Sequence, residues 1–404
     1  MVQMATLMDY LEWRGDIPIC EEVPLNEVDG MILARFSYLP FDKIDMNKWE
    51  TIGTISYKMS KLEKSDYKRR DGDDDLIASL GKCRRFSDMV VTDFVKDTNL
   101  ERQMQFSAVS IRALPDHMFL TYCGTDSTLV GWKEDFNMSF MEKVPSQLAG
   151  CRYIETLASK YPDMKFSLAG HSKGGNIAVY SAATASPEIQ HRIIGVWNYD
   201  GPGFQESFVD AHLKGTELPQ KIKTFIPQES VFGRMLEHAE EFEVIKSTNV
   251  SIYQHDIYSW QVMRDSIIRS EKTTVASNIT DKSIRKVLED TTPEQRKIFI
   301  DCVYDIMSST DAKTVDELMK FMFKYVPTML KKYSGMSADE KKLMTDMIFM
   351  FMKSYFSTLS ETESSWISKK AENASSKASE IWTNVKEELN AKRSEGNKEL
   401  TEVD

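Results

Sequence analysis

The chain has 404 residues, 41% apolar and 28% charged, with a formal charge of -11. That length exceeds one ordinary core and predicts about two domains. The composition is that of a globule, and the acidic balance argues against nucleic acid as the main partner. No run of 18 apolar residues occurs, so no transmembrane span is expected, and no apolar stretch of signal-peptide length follows Met1. The five cysteines (Cys20, Cys83, Cys123, Cys151, Cys302) are scattered without a C-x-x-C pair. They read as reduced thiols of a cytoplasmic protein, with no disulfide frame, metal or cofactor expected.

Along the chain, Met4 to Trp13 reads as a helix, and Met31 to Leu39 as a second apolar-patterned segment. Residues 58–75 are densely charged and read as a solvated loop or helix cap; Asp73-Asp74-Asp75 lacks the ligand spacing of a cation site. Leu76 to Val95 has helical apolar spacing. Gln105–Ala113 and His117–Cys123, joined by Leu114-Pro115-Asp116, form a predicted hairpin. Residues 145–160 read as a helix. Strands follow at Met164–Ala169, in Ile193–Gly203, where the strand ends in a tight loop, at Ile222–Ile226 and at Val250–Gln254, the last ending at His255. Strands alternating with helices predict an α/β fold with a mostly parallel sheet flanked by helices.

From about residue 270 glycine nearly vanishes and helical patterns take over. Thr292-Pro293-Glu294-Gln295 and Ser337-Ala338-Asp339-Glu340 are capping boxes. Leu343 to Phe356 is rich in methionine and phenylalanine, and beyond Ser364 the chain turns polar. The expected organisation is a domain over 1–270, with 1–100 as an extension carrying the first helices, a C-terminal all-helical region over 271–390, and a charged tail over 391–404.

The chemistry concentrates at Gly170-His171-Ser172-Lys173-Gly174, between an apolar strand and a small-residue helix. This is the context a G-x-S-x-G nucleophile elbow demands. A serine hydroxyl needs a base, and the base an orienting acid. Of the six histidines, only His255 follows a predicted strand and lies downstream of a candidate acid; His171 is expected to point away. Glu229, in the loop after Ile222–Ile226, is the first choice of acid. Asp200, ending the preceding strand, competes with it, and Asp256 reads as a neighbour or cap. The oxyanion donors are expected to be the backbone N–H of Lys173 and Thr125, whose hydroxyl is also available.

Tyr122-Cys123-Gly124-Thr125-Asp126-Ser127, followed by Trp132 and Asp135, resembles the F-R-G-T-x-S … W-x-x-D block of class 3 (fungal-type) lipases. Gly170 to Ala178 is similar to their G-H-S-L-G-G-A-L-A, and His255 to their terminal catalytic histidine, over roughly residues 100 to 265. The whole chain resembles more closely a Gram-positive bacterial family of unassigned function, which appends a lipase-like α/β-hydrolase domain to extra helices. The resemblance implies an α/β-hydrolase fold and esterase or lipase chemistry on a small-molecule ester or lipid. It implies a triad of Ser172, an acid and His255, with Thr125 and Lys173 as oxyanion donors.

The chain departs from the lipase pattern in three places. Cys123 stands for the usual arginine. Lys173 stands for the usual leucine and places a cation beside the nucleophile. The acid block, matched on Val231, puts Glu229 at the aspartate position, or Ser230 with a shift of one residue. Phe136, Met138, Phe140 and Met141, where a lipase carries its lid, are candidates to line an acyl site. A rival reading is a weak or inactive hydrolase-like scaffold whose C-terminal helices, through 343–356, contact a partner protein or a membrane surface.

Overall fold

The computed structural model describes residues 4–46, 49–67, 70–126 and 128–360. The expectations for the polar stretch beyond Ser364 and for the tail at 391–404 lie outside the described residues. The chain starts with helices: α1 (Leu7–Arg14), α2 (Glu27–Phe36), α3 (Ile52–Met59), α4 (Lys64–Tyr67) and α5 (Asp73–Leu80). Asn26 starts α2 by accepting the N–H groups of Val28 and Asp29, while Asp29 returns a carboxylate to the Asn26 N–H. Val28, Met31, Ile32, Leu33, Ala34 and Phe36 are all fully buried. Asp29 and Arg35 of the same helix are buried too, each in an ion pair, so α2 is covered on every side, and it packs onto the sheet.

An eight-stranded sheet runs in sequence order from edge to edge. Strands β1 (Glu50–Thr51), β2 (Val90–Asn99), β3 (Met104–Leu114) and β4 (His117–Tyr122) pair antiparallel. From β4 onward, β5 (Lys165–His171), β6 (Ile193–Tyr199), β7 (Ile222–Pro227) and β8 (Phe242–Ile245) pair parallel. Parallel neighbours require crossovers. Helices α6 (Leu129–Asn137) and α7 (Pro145–Lys160) link β4 to β5, α8 (Lys173–Thr184) and α9 (Pro187–Arg192) link β5 to β6, and α10 (Glu206–His212) lies between β6 and β7. The sheet with helices on both faces is the expected α/β-hydrolase arrangement. Alternation sorts its side chains: Met118, Leu120, Phe166 and Leu168 join one core with Ile154, Leu157 and Ile177. Val109, Ile111, Phe119 and Ala169 join the opposite core with Met31, Ile32 and Phe36.

Three expectations need correction. Leu76–Val95 is not one helix; α5 stops at Leu80, and Val90 to Val95 begin β2, where β-branched residues pair with β3. Val250–Gln254 is not a strand. The place beside β7 is taken by β8, and residues 251–255 form a 3-10 turn with Ile252 and Tyr253 exposed. Asp73 is not solvated: it is 1% exposed and pairs with the buried Arg35 at 2.5 Å.

The last helices are α11 (Val275–Asp290), α12 (Pro293–Ser308), α13 (Val315–Lys320), α14 (Met322–Ser334) and α15 (Ala338–Ser360). Both capping boxes form, at Thr292 with Gln295 and at Ser337 with Glu340. Helix α12 packs on α14, α15 and α6, and the buried Lys133 of α6 pairs with Asp301 of α12. On α15, Met344 and Met347 are buried while Ile348 and Phe349 are exposed.

Candidate active site

Strand β5 ends at His171, and the chain reverses at once into α8. Ser172 takes φ 58° and ψ -132°, a conformation costing about 1–3 kcal/mol for a non-glycine residue. Two glycines make the turn possible. A Cβ on Gly170 would lie 2.1 Å from the carbonyl carbon of Gly174, and one on Gly174 would lie 2.0 Å from the Tyr122 oxygen. The Ser172 N–H donates to the Tyr199 oxygen at 2.9 Å, which extends the β5–β6 ladder by one step and pins the elbow to the neighbouring strand.

Asp200 ends β6 in the same way. Its N–H donates to the Phe225 oxygen at 2.9 Å, its φ is 55°, and its side chain is fully buried. His255 meets it from the loop beyond β8, with Nδ1 2.6 Å from Asp200 Oδ2. A carboxylate only accepts, so Nδ1 carries the proton, and Nε2 is left with a lone pair. The imidazole sits between two rings, Phe232 at 4.6 Å and His171 at 4.5 Å between centroids.

His171 does not point away. Its Nε2 donates to the His255 carbonyl at 2.8 Å, and its Nδ1 accepts from the Tyr38 hydroxyl at 3.1 Å. This fixes one neutral tautomer, and burial followed by the nearby His255 holds its pKa well below the usual histidine value. Tyr38 comes from the segment after α2, so the N-terminal region braces the loop that carries His255.

Glu229, the first-choice acid, faces elsewhere. Its carboxylate accepts the Ser251 N–H and, at 3.3 Å, the Gln254 amide. It holds the 251–255 turn, whereas the carboxylate on the imidazole is that of Asp200. Ser230 does reach the site, but as a hydroxyl donating to Asp200 Oδ1 at 2.5 Å. Asp256 caps the next turn by accepting the Tyr258 N–H at 3.1 Å.

Lys173 also differs from expectation. Its ammonium does not stand beside Ser172 in the cavity; it is 1% exposed and runs inward to Glu134 Oε2 at 3.0 Å and Gln105 Oε1 at 2.8 Å. Burial alone would lower its pKa, but Glu134 and Asp135 outweigh that and raise it. The ion pair ties the first residue of α8 to α6, and as that first residue Lys173 has no intrahelical acceptor for its backbone N–H. The Thr125 hydroxyl donates to Asp135 Oδ2 at 2.5 Å. Burial pushes the Asp135 carboxyl up to about 6, against the opposing pull of Lys173 and Thr125.

A cavity of about 290 Å³ gathers Thr125, Trp132, Ser172, Phe232 and His255, with Arg35, Tyr38 and Arg70 among the further lining residues. Phe136, Met138, Phe140 and Met141 do not line it; Met138 is buried and Phe136 faces solvent. No hydrogen bond joins Ser172 Oγ to His255 among the described residues. Catalytic contacts of this kind are commonly long before substrate binds. Among the described residues no group of His, Cys, Asp or Glu is arranged to hold a metal ion.

Residues 80–305 match the Mbeg1-like family. The chain belongs to this family. No curated protein matches significantly. Among solved structures, this Mbeg1-like chain is similar to a fungal lipase in an inhibitor complex, at 12% identity and a TM-score of 0.37, over 61% of this chain and 83% of that one. A native Rhizomucor miehei lipase–propeptide complex is similar at 13% identity and 0.33, over 59% and 84%. A mutant of MDLA from Penicillium cyclopium is similar at 11% and 0.34, over 60% and 84%.

Sequence reasoning ranked Asp200 second and missed Phe232, Tyr38 and the bracing role of His171. The usable signal for Asp200 was its position, since it follows the strand next to the one that leads into Ser172. Phe232, one ring flanking His255, carries no sequence mark because it arrives from a separate loop; His171, the other, ends β5 within the elbow motif, and only packing shows its ring turned toward His255.

Proposed function

We propose that this protein is a serine hydrolase cleaving an acyl ester through an acyl-enzyme on Ser172. The observation that carries the reading is the Asp200–His255 pair at 2.6 Å, sharing one cavity with a serine at positive φ. In this reading His255 Nε2 takes the Ser172 proton as Oγ attacks the carbonyl. Asp200 stabilises the imidazolium, and the N–H groups of Lys173 and Thr125 receive the oxyanion. The alcohol departs with the proton from His255, and a water activated by the same ring releases the acid. The Thr125 hydroxyl, its proton given to Asp135, holds the Thr125 N–H in place rather than donating itself.

Two supports bear on the setting. Among the described residues no helix is long and apolar enough to cross a membrane. No disulfide joins any of the five cysteines, which fits a reducing compartment such as the cytoplasm.

Labelling with a fluorophosphonate probe tests the assignment. Wild type reacts and Ser172→Ala does not, and a p-nitrophenyl ester series then ranks acyl lengths. Equal labelling of the two proteins excludes Ser172 as nucleophile. No labelling of either leaves the rival reading, a hydrolase-like scaffold that binds rather than cleaves.

A further inference from the structure

Helices α13 and α14 leave an apolar stripe uncovered. Met319 is 63% exposed, Phe323 96%, Val326 36% and Leu330 59%. Phe323, Val326 and Leu330, three and four residues apart, lie on one line along α14, and Met319 sits at the end of α13 just before the break at Phe321. The adjoining face is occupied differently: Leu318 and Tyr325 are buried, and Met329 and Tyr333 pack on the small core around Cys302, Ile306 and Met344. The stripe is therefore surplus to the packing that holds the helices in place.

Charge separates this segment from the rest of the chain. From Val315 to Ser334 there are four lysines against Asp316 and Glu317 at the start of α13, a positive balance in a protein of net charge -11. Lys324 and Lys332 have exposed partners, Asp311 at 3.3 Å and Asp305 at 3.1 Å. Lys320 and Lys331 have no acidic partner among the described residues. An exposed bulky apolar stripe edged by lysines matches an interface with hydrocarbon below and negative headgroups around it.

We propose that α13 and α14 dock this protein on an anionic lipid surface, with Met319, Phe323, Val326 and Leu330 entering the headgroup boundary and Lys320 and Lys331 facing acidic headgroups. The repulsion between the acidic body and such a surface leaves this segment as the approach face. The docking is independent of the ester-hydrolase assignment and of the α15 surface over 343–356.

The test is co-sedimentation of the full chain with phosphatidylcholine vesicles, with and without roughly a third phosphatidylserine. Wild type should bind the anionic vesicles on the order of ten-fold more tightly than the neutral ones and lose binding as salt rises. Phe323→Ser with Leu330→Ser should abolish binding, and Lys320→Glu with Lys331→Glu should weaken it by more than about ten-fold. These positions are exposed, so unchanged thermal melts verify the fold. Ile348→Ser with Phe349→Ser should leave binding intact. The proposal is overturned by absent binding, by equal binding to neutral vesicles, or by loss confined to the α15 variant. It is also overturned if the stripe variants bind vesicles normally but lose a dimer seen by sedimentation velocity, which would make a second copy the occupant.

Discussion

Asp200 holds His255 through Oδ2 while its other oxygen, Oδ1, receives the Ser230 hydroxyl. The carboxylate is thus satisfied on both sides in a fully buried position, and its orientation toward the imidazole is set by two independent loops. Asp200→Asn should reduce ester turnover on the order of 10³–10⁴-fold, because an amide can present an N–H and reverse the histidine tautomer. Glu229→Gln should stay within a few-fold of wild type, since Gln still accepts the Ser251 N–H. Steady-state kinetics on one p-nitrophenyl ester compares the two; a larger loss in Glu229→Gln would reverse the acid assignment.

Asp135 predicts opposite effects on activity and stability. Its pKa in the folded protein, about 6, lies above the unfolded value near 3.8, so the folded state binds the extra proton between those limits. Stability contributed by the protonated form is present at low pH and lost as pH rises through about 6. Asp135→Asn removes the charge and should raise stability at pH 7.5 by about 1 kcal/mol, a reduced figure because the side chain is 30% exposed. The same change weakens the acceptor for the Thr125 hydroxyl and should lower kcat roughly ten-fold with little change in KM. Chemical denaturation and kinetics on the same preparation check both signs.

His117 predicts acid sensitivity. It is buried at the start of β4 with Nε2 2.9 Å from Ser167 Oγ, and burial lowers its pKa to about 4. The unfolded chain takes up a proton near 6.5 that the folded one refuses, so stability is full above about 6.5 and falls as pH drops toward 4. His171 acts in the same direction. His117→Gln, which keeps a partner for Ser167, should flatten the pH dependence of the melting temperature between pH 4 and 6.5. An unchanged slope would assign acid sensitivity to other groups.

Lys133 and Asp301 tie the C-terminal helices to α6, the helix that carries Trp132 and Asp135. Lys133 is 1% exposed and Asp301 39%. Asp301→Ala leaves a buried ammonium without its carboxylate and should destabilise by about 3 kcal/mol. Lys133→Met with Asp301→Ala should recover at least half of that loss. A double-mutant cycle by urea denaturation reads the coupling; additive losses would mean that the pair does not act as a unit.

The elements legible in the chain were those whose signal is local. Strand–glycine–serine–glycine–helix at 164–178 can hardly fold otherwise, since a Cβ at Gly170 or Gly174 collides with backbone. The hairpin at Leu114, the helix over Pro145–Lys160 and the Thr292 cap follow equally from residues a few positions apart. The errors came where several solutions were locally equivalent. Val90 to Val95 suits a helix or a strand, and pairing with β3 decided it. Val250–Gln254 looks like a strand, but one position beside β7 was available and Phe242–Ile245 fills it. The acid was undecided for the same reason: Glu229 and Asp200 both follow strands, and neither composition nor spacing records which loop bends toward His255. Only folding brings β6, β8 and the 251–255 turn to one end of the sheet, where Asp200 and not Glu229 lies 2.6 Å from His255. Turns and caps involve neighbours along the chain, whereas the partner of a side chain is whatever packing brings within about 3 Å of it.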